Sequence, residues 1–353
     1  MKYRGKVIVM NSSANKEKER IGLGIDLGTA NLLVYQERKG VIFNEPSVIA
    51  FDRESGKVVA AGIDAHRMLG KVHSKIAVIK PLRSGVISDM RAAKSLLTYV
   101  LSKIDNLSAK AMETSTCVIC CPSEVTKIER DVMIDLASKM SITDAFIEEE
   151  IKAGALGAGI DIFKSKGAMI VDIGGGTTDV GVLSFGDIVL SRTIRKAGNF
   201  MDDEIIKYVK KNRNVEIGEL TAGRAKLELA DLFENPKPLE LRYAGRDMVK
   251  GIPKWFDLNT AEMQSILFPI FDEIVKLISA VLKDTPPELS ADIFRNGVML
   301  SGGSSLIKGI EEYIGNRIQV PVHVVSNPLT CVAEGTKYLI KNRGDYLVNP
   351  LQL

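Results

Sequence analysis

The fold is decided by two stretches, Ile-Asp-Leu-Gly-Thr-Ala-Asn at residues 25–31 and Val-Asp-Ile-Gly-Gly-Gly-Thr-Thr-Asp at residues 171–179. In each, apolar residues lead into an aspartate, a turn rich in glycine and threonine follows, and a second apolar run begins. This order predicts a β-hairpin that is present twice in the chain. Turn glycines let backbone N–H groups approach an anion, threonine hydroxyls add donors, and Asp26 and Asp172 can hold a hydrated metal ion beside the same phosphates. Two such loops facing each other would hold a nucleoside triphosphate.

Composition is that of an ordinary globular protein. The chain has 353 residues, of which 45% are hydrophobic and 26% are charged. A chain of this length buries about 75% of its unfolded surface and folds as two or more domains. Its 47 basic and 44 acidic side chains leave a formal charge of +3, which is too small for a nucleic-acid-binding surface. We therefore expect a soluble protein with no direct nucleic-acid partner.

Four cysteines stand at positions 117, 120, 121 and 331, and the first two form a Cys-x-x-Cys pattern. A metal or disulfide role is one interpretation of that spacing. The run reads better as a buried strand, in which side chains three residues apart point to opposite faces. The three histidines are scattered, so no zinc-binding pattern emerges. Reduced structural cysteines in a cytoplasmic protein are the expectation.

Residues 1–20 are expected to form a mobile N-terminal arm, because residues 11–20 are polar and charged. This arm is either a solvated tail or a weak electrostatic attachment to anionic lipid. The apolar run after the basic start is shorter than the ~7–15 residues of a signal-peptide core, and no run approaches the ~20 residues that span a bilayer. We expect a protein that is neither exported nor membrane-spanning.

Strand-like runs alternate with helical patterns along the chain, which predicts an α/β fold with two related halves. The predicted strands cover residues 21–27, 32–36, 116–121, 168–173, 180–184, 297–301 and 321–325. The predicted helices cover residues 91–104, 126–140 and 201–211. Small residues at 153–159 favour either close helix packing between the halves or an ordinary tightly packed helix.

A third glycine-rich turn follows a strand-like run at residues 298–301. Gly302 and Gly303 permit close approach of a flat ligand, while Ser304 or Ser305 can cap the next helix. Alone this is a weak signal, because glycine turns into helices are common. Combined with the two hairpins, it indicates a nucleotide site.

In the order of these motifs the chain resembles the actin superfamily of ATPases. Two phosphate loops, a connecting helix and an adenosine loop correspond to residues 25–31, 171–180, 150–160 and 300–309. Within that superfamily the chain is similar to the bacterial MreB cell-shape family from about Ile21 to Ile340. The segments that carry this similarity include residues 44–48, 122–123, 172–178, 285–289 and 328–333.

The resemblance implies an actin-like α/β fold, in which two duplicated domains surround a nucleotide cleft and each domain has a large and a small subdomain. It assigns residues 21–50, 84–163 and 332–353 to subdomain IA, 51–83 to IB, 164–199 and 264–331 to IIA, and 200–263 to IIB.

The implied ligands are ATP and Mg²⁺, with Asp26 and Asp172 at the metal. The first phosphate loop corresponds to Asp26, Gly28, Thr29, Ala30 and Asn31. The second corresponds to Asp172, Gly174, Gly175, Gly176, Thr177 and Thr178. Gly302, Gly303 and Ser304 fall on the adenosine loop, where that family usually has three glycines, and Gly223, Arg224 and Lys226 fall on its ribose and adenine segment. Because the position of Gly223 is commonly acidic in that family, one sugar contact is in doubt here.

For hydrolysis, a water must lie in line with the γ-phosphate. Glu150 falls where the family has its water-activating glutamate, and Thr177 where it has a supporting hydroxyl. The proline and methionine that usually follow the glutamate are Ile151 and Lys152 here, so we expect slow turnover. From the residues alone, the acidic run 148–150 also fits a solvated helix start.

The resemblance further implies a cytoskeletal protein that polymerises head to tail and pairs into antiparallel filaments supporting cell shape or motility. Such filaments lie at the inner face of the cell membrane on anionic lipid, and other cytoskeletal or membrane proteins are further candidate partners. The candidate loop at residues 105–112 fits a plain surface loop better than a membrane wedge, and the apolar tail at 346–353 could dock on its own domain, lipid or a partner.

Two alternatives from the same superfamily are weaker. A small-molecule kinase typically needs an acceptor site in longer domains, and the inserts at 51–83 and 200–263 are short for that. A chaperone ATPase needs a peptide-binding domain that residues after 340 could not form.

Overall fold

A computed structural model describes residues 21–103, 115–142 and 144–341. The predictions for the arm at 1–20, the loop at 105–112 and the tail at 346–353 concern residues outside these ranges. In the described part, no helix is both long enough and apolar enough to cross a membrane.

The strands of the described residues are numbered in chain order. They are β1 (Gly22–Leu27), β2 (Asn31–Gln36), β3 (Gly40–Pro46), β4 (Ile49–Asp52), β5 (Val58–Ala61), β6 (Ile76–Ile79), β7 (Leu82–Arg83), β8 (Val86–Ile87), β9 (Thr116–Cys121), β10 (Asp144–Glu149), β11 (Ala168–Ile173), β12 (Thr178–Ser184), β13 (Asp187–Ile194), β14 (Val215–Glu216), β15 (Glu240–Asp247), β16 (Pro253–Asn259), β17 (Val298–Ser301) and β18 (Val322–Val324).

The α-helices of the same residues are α1 (Gly62–Arg67), α2 (Met90–Ser102), α3 (Lys127–Ser138), α4 (Glu150–Gly157), α5 (Gly198–Arg213), α6 (Glu219–Leu229), α7 (Thr260–Asp284), α8 (Pro287–Asn296), α9 (Ile310–Ile318) and α10 (Cys331–Lys341). Local sequence sets several starts. Thr126 and Glu129 form a capping box at α3, and Asn259 and Glu262 form another at α7.

Two five-stranded sheets share one design. Their strand orders are β10-β9-β1-β2-β3 and β18-β17-β11-β12-β13. In the first, β1, β2 and β3 run antiparallel, whereas β1, β9 and β10 run parallel. The second repeats this with β11, β12 and β13 antiparallel and β11, β17 and β18 parallel. The predicted duplicated hairpin, the two related halves and the α/β class are confirmed.

Smaller sheets extend from each half. The sheet β5-β4-β6 comes from the first, and the sheet β14-β15-β16 comes from segment 200–263. Strand β4 begins at Ile49, so it crosses the predicted limit between residues 50 and 51. The subdomain limits themselves stay a prediction.

Helices α4 and α10 join the halves. A Cβ on Gly157 would lie 1.7 Å from the carbonyl oxygen of Cys331, and one on Gly335 would lie 1.8 Å from that of Ala153. The backbones of the two helices are therefore in direct contact. This agrees with the close helix packing that the small residues at 153–159 predicted.

The cysteines lie in these cores as reduced thiols. Cys117 and Cys121 belong to the core of the first half, whereas Cys120 belongs to a separate cluster with Ile151 and Val332, beside α4 and α10. The strand interpretation of the Cys-x-x-Cys pattern is confirmed, because its two thiols lie on opposite faces of the sheet.

Candidate functional site

The two predicted phosphate loops meet face to face. Each hairpin leaves four residues between its last paired positions, 28–31 between Leu27 and Leu32 and 174–177 between Ile173 and Thr178. A Cβ on Gly175 would lie 2.4 Å from the Cβ of Ala30, and one on Gly176 would lie 2.3 Å from the Thr29 hydroxyl oxygen. Side chains of the first loop thus occupy the space that glycine leaves open in the second.

Hydrogen bonds hold the first loop in place. The Thr29 hydroxyl oxygen accepts from the backbone N–H of Gly85 at 2.8 Å, and the Ser47 hydroxyl donates to the Gly28 carbonyl at 2.7 Å. The Asn31 amide donates to the side chain of Asn44 at 3.0 Å. All of these contacts come from residues of the first half.

The second loop is held in the same way by its own half. The Gly174 N–H donates to the Thr177 carbonyl at 3.0 Å, and the N–H groups of Gly198 and Asn199 donate to the carbonyls of Gly174 and Gly175. The buried Thr178 hydroxyl donates to the Lys196 carbonyl at 2.7 Å, which ties its side chain to the protein interior. Thr177 is 6% exposed and ends the loop.

Carboxylic acids from both halves converge behind these loops. Burial raises the pKa of Asp26 to about 7. Burial also raises the pKa of Asp172 to about 8, and the nearby Asp179 and Asp26 contribute to the rise. The pKa of Glu150 lies well above its ordinary value because of burial and because Asp26, Asp179 and Asp172 are close. Predicted groups that are distant in sequence therefore form one acidic centre.

Asp179 is a member of this centre that the sequence interpretation missed. It lies directly across the hairpin from Asp172 and accepts hydrogen bonds from the Ser123 N–H at 3.1 Å and the Thr193 hydroxyl at 2.6 Å. Burial raises its pKa, and these hydrogen bonds offset part of the rise. The length of the loop could have revealed Asp179 from the sequence, because four loop residues fix which residues of the hairpin lie opposite each other.

Glu150 is the first residue of α4, directly after β10. Ile151 is fully buried and packs where Gly181 lacks a side chain. The Lys152 ammonium lies 3.6 Å from Glu148 and 3.4 Å from Asp187. The two departures from the family pattern are thus accommodated, and α4 still starts at the glutamate. Glu148 and Glu149 are strand residues and neither is exposed, so the acidic run is no solvated helix start.

The donor set suits a magnesium ion that also binds phosphate. The Oδ1 atom of Asp172 is buried and accepts no hydrogen bond of good geometry from the described residues. Among those residues, no three His, Cys, Asp or Glu side chains converge closely enough to ligate a metal on their own. Mg²⁺ usually keeps several waters and uses one or two carboxylates plus substrate phosphates, which matches Asp26 and Asp172.

The adenosine loop differs in part from the prediction. Gly302 has φ +81° and a Cβ there would lie 2.3 Å from Asp172 Oδ1, so glycine is required. A 3₁₀ turn over Gly303–Leu306 follows, and α9 begins only at Ile310. The Ser305 hydroxyl donates to the Gly302 carbonyl at 2.7 Å and Ser304 donates to Gly174 at 3.3 Å. The helix-capping prediction was wrong, because both hydroxyls bond to carbonyls.

The predicted ribose and adenine segment lies on α6. Lys226 joins the site, since its ammonium donates to the Gly198 carbonyl at 2.7 Å. Arg224 is exposed and its guanidinium lies 5.3 Å from the ring centre of Tyr243. Gly223 faces Asp202, whose carboxylate pairs with Lys226 at 2.8 Å. Asp202 was not predicted, since it stands in an Asp-Asp-Glu run that reads as a solvated helix face.

The model of the family described as MreB/Mbl protein matches residues 20–347. The chain is 42% identical to the cell shape-determining protein Mbl of Bacillus subtilis, over 91% of this chain and 96% of that protein. It is 36% identical to the cell shape-determining protein MreB of Escherichia coli K12, over 89% of this chain and 91% of that protein.

Solved structures agree with these relatives. MreB5 of Spiroplasma citri bound to AMPPNP has a TM-score of 0.88 and 39% identity, with coverage of 94% of this chain and 99% of that one. The same protein bound to ADP gives a TM-score of 0.87 and 40% identity at the same coverage. A MamK double helical filament, at 22% identity and TM-score 0.77 over 91% of this chain and 99% of that one, shares the fold.

Proposed function

The chain belongs to the MreB/Mbl protein family, and on that premise we propose that it binds ATP with Mg²⁺, hydrolyses it slowly and assembles into actin-like filaments. It is an actin-like cytoskeletal protein of the cell-shape class, as its relatives are. The kinase alternative finds no support among them.

One observation carries the nucleotide part of the proposal. Two loops from duplicated sheets interdigitate, with Gly175 and Gly176 against Ala30 and Thr29, in front of an acidic centre whose carboxyl groups are raised in pKa. Crowded carboxylic acids of this kind are relieved by a bound cation, and glycine-rich loops present backbone N–H groups to phosphates. AMPPNP and ADP are the ligands of the similar MreB5 structures.

Different residues of the chain would have different roles in ATP hydrolysis. Backbone N–H groups of both loops and the Thr29 and Thr177 hydroxyls orient the phosphates. In its ionised form, which a cation held by Asp26 and Asp172 would favour, Glu150 accepts a proton from the attacking water. Asp26 and Asp172 would hold Mg²⁺, which would neutralise charge on the phosphates.

Assembly follows from the two halves. A nucleotide held between them favours one angle between the halves, and a subunit fixed at that angle stacks head to tail on the next copy. We place the filament, as antiparallel pairs, on anionic lipid at the inner face of the cell membrane, supporting cell shape or motility.

Sedimentation of purified protein with ATP and Mg²⁺, combined with electron microscopy, tests the proposal. We expect filaments with ATP and few with ADP, and co-sedimentation with anionic but not neutral vesicles. Soluble monomers under all nucleotide conditions would contradict the filament proposal. Filaments that ignore both kinds of vesicle would contradict only the lipid contact.

A further inference from the structure

Gly223 leaves an open space beside a buried acid. A Cβ at this position would meet only the two carboxylate oxygens of Asp202, each at 3.8 Å. Gly223 is half-buried on α6, and it has no side chain that closes the approach to this carboxylate. A side chain at 223 would cover this approach, and glycine leaves it free.

Asp202 is held in a fixed position. Its side chain is 18% exposed and lies 2.8 Å from the Lys226 ammonium, which is 14% exposed. Burial raises the pKa of Asp202, and Lys226 offsets part of that rise. Since an ionised carboxylate only accepts hydrogen bonds, a further donor on its open side would stabilise it.

The Asp202–Lys226 pair lies one residue contact away from the second phosphate loop. The Lys226 ammonium donates to the Gly198 carbonyl at 2.7 Å, and the Gly198 N–H donates to the Gly174 carbonyl at 3.1 Å. A Cβ on Gly198 would also lie 3.3 Å from the Ser304 hydroxyl of the adenosine loop. The part of a nucleotide that lies between its phosphates and its base is the sugar, and the sugar presents hydroxyl donors.

We propose that Asp202 accepts a hydrogen bond from a ribose hydroxyl of the bound nucleotide, through the space that Gly223 leaves open. The inference rests on the proposed ATP site and deepens it: the site selects ribonucleotides that carry free sugar hydroxyls. Lys226 keeps the carboxylate ionised and oriented. Asp202 thus supplies the sugar contact that the glycine at 223 does not.

The test measures binding of ATP and of 2′,3′-dideoxy-ATP, both with Mg²⁺, by isothermal titration calorimetry. Parent protein should bind ATP about tenfold more tightly than the dideoxy form, because a hydrogen bond to a charged group is at stake. Asp202→Ala should bind both nucleotides with similar, weakened affinity. Asp203→Ala, an exposed neighbour on the same helix, should keep the parent's discrimination.

The ratio of the two affinities decides the matter. If Asp202→Ala weakens ATP but keeps the tenfold ratio, the residue merely positions Lys226 and the inference is overturned. Asp202→Asn, which preserves shape, gives the same ratio measurement should the alanine variant fail to fold. A parent that binds both nucleotides equally refutes the sugar contact alone, whereas a parent that binds no ATP refutes the proposed function.

Discussion

The two halves have the same sheet and the same four-residue loop, yet their chemistry differs. In the second half, Asp172 faces Asp179 across its hairpin; in the first half, Asp26 faces Leu33. The first half follows its outer strand β10 with α4, which starts with Glu150. The helix that follows the second sheet, α10, instead starts with Cys331, whose pKa burial raises to about 12.

The loops differ as well. The first carries side chains at Thr29, Ala30 and Asn31, and the second has glycine at positions 174 to 176. Duplication therefore accounts for the two facing loops of the proposed phosphate site, while divergence separates the other proposed tasks. We assign the proton-accepting group to the first half and the nucleoside contacts, at Gly302 and Asp202, to the second.

The largest expected effect is on the rate of ATP hydrolysis, and it tests whether α4 alone carries the proton-accepting group. Glu150→Gln should lower the rate of ATP hydrolysis at least about 100-fold, because the amide cannot accept the proton of the attacking water. ATP affinity should change little. Single-turnover phosphate release measures the rate.

Glu334→Gln on α10 is the matched control, since Glu334 lies near the start of the helix that follows the second sheet in the chain. It should hydrolyse ATP at the parent's rate. Equal losses in the two variants would show that the halves do not differ in this task.

The next largest effect concerns the fit between the loops. Gly175→Ala should weaken ATP binding by about 100-fold, because the new Cβ meets that of Ala30 and displaces the phosphate-binding backbone. Fluorescent ATP titration measures the affinity. Adding Ala30→Gly removes the colliding methyl group and should restore part of the binding.

Gly218→Ala provides a control, because a Cβ there meets nothing within 4 Å. It should bind ATP like the parent. A Gly175→Ala protein with parental affinity would show that the loops are not in contact when ATP binds.

The stability of the folded protein should depend on pH because of Asp172, the buried acid of the second half. The pKa of Asp172 is raised from 3.8 to about 8, so between these values it is ionised in the unfolded chain and protonated in the folded one. Rising pH therefore favours unfolding, and the melting temperature of nucleotide-free protein should fall from about pH 4 to about pH 8.

Asp172→Asn cannot ionise and should show a smaller fall, measured by scanning calorimetry across that range. Mg²⁺ with ATP should raise the melting temperature of the parent more near pH 8 than near pH 5, because the cation favours the ionised acids. A parent whose melting temperature rises between pH 5 and 8 would disagree with this acidic centre.

The smallest effect concerns the ion pair that spans the cleft. Lys80, from segment 51–83, pairs with Glu219 at the start of α6. The pair is partly exposed, so Lys80→Ala should speed ADP release by only about two- to fivefold. Stopped-flow release of labelled ADP measures this, and added salt should reduce the difference between parent and variant.

Arg67→Ala removes an exposed ion pair within α1, to Asp64, and should leave ADP release unchanged. If both variants accelerate release equally, the contact across the cleft has no special role.

The sequence predicted the central strands and the short edge strand β18, but it missed the edge strands β3, β10 and β13. Strands β1, β2, β9, β11 and β12 are buried on both faces, so each is a continuous apolar run. Strands such as β10, β13 and β15 lie at edges or in small sheets and carry many charges. Their pairing is decided by neighbours distant in the chain, which local patterns do not contain.

The site shows the same limit. Loop positions from Asp26 and Asp172 were predictable because glycine, threonine and aspartate at fixed spacing have few other uses. Asp179 and Asp202 were missed, because each looks like an ordinary strand or helix residue until pairing places it. Both residues are identified by the distant residues that they lie beside in the fold, and not by their residue type.

The glycine contacts between α4 and α10 have a mechanical consequence. At Gly157 and Gly335 the two helix backbones touch without an intervening side chain, so a change in the angle between the halves must move both helices. Because Glu150 begins one of these helices, bending the proposed filament would shift the Glu150 carboxylate relative to the γ-phosphate of ATP. Bending of the proposed filament would then change the rate at which each subunit hydrolyses its ATP.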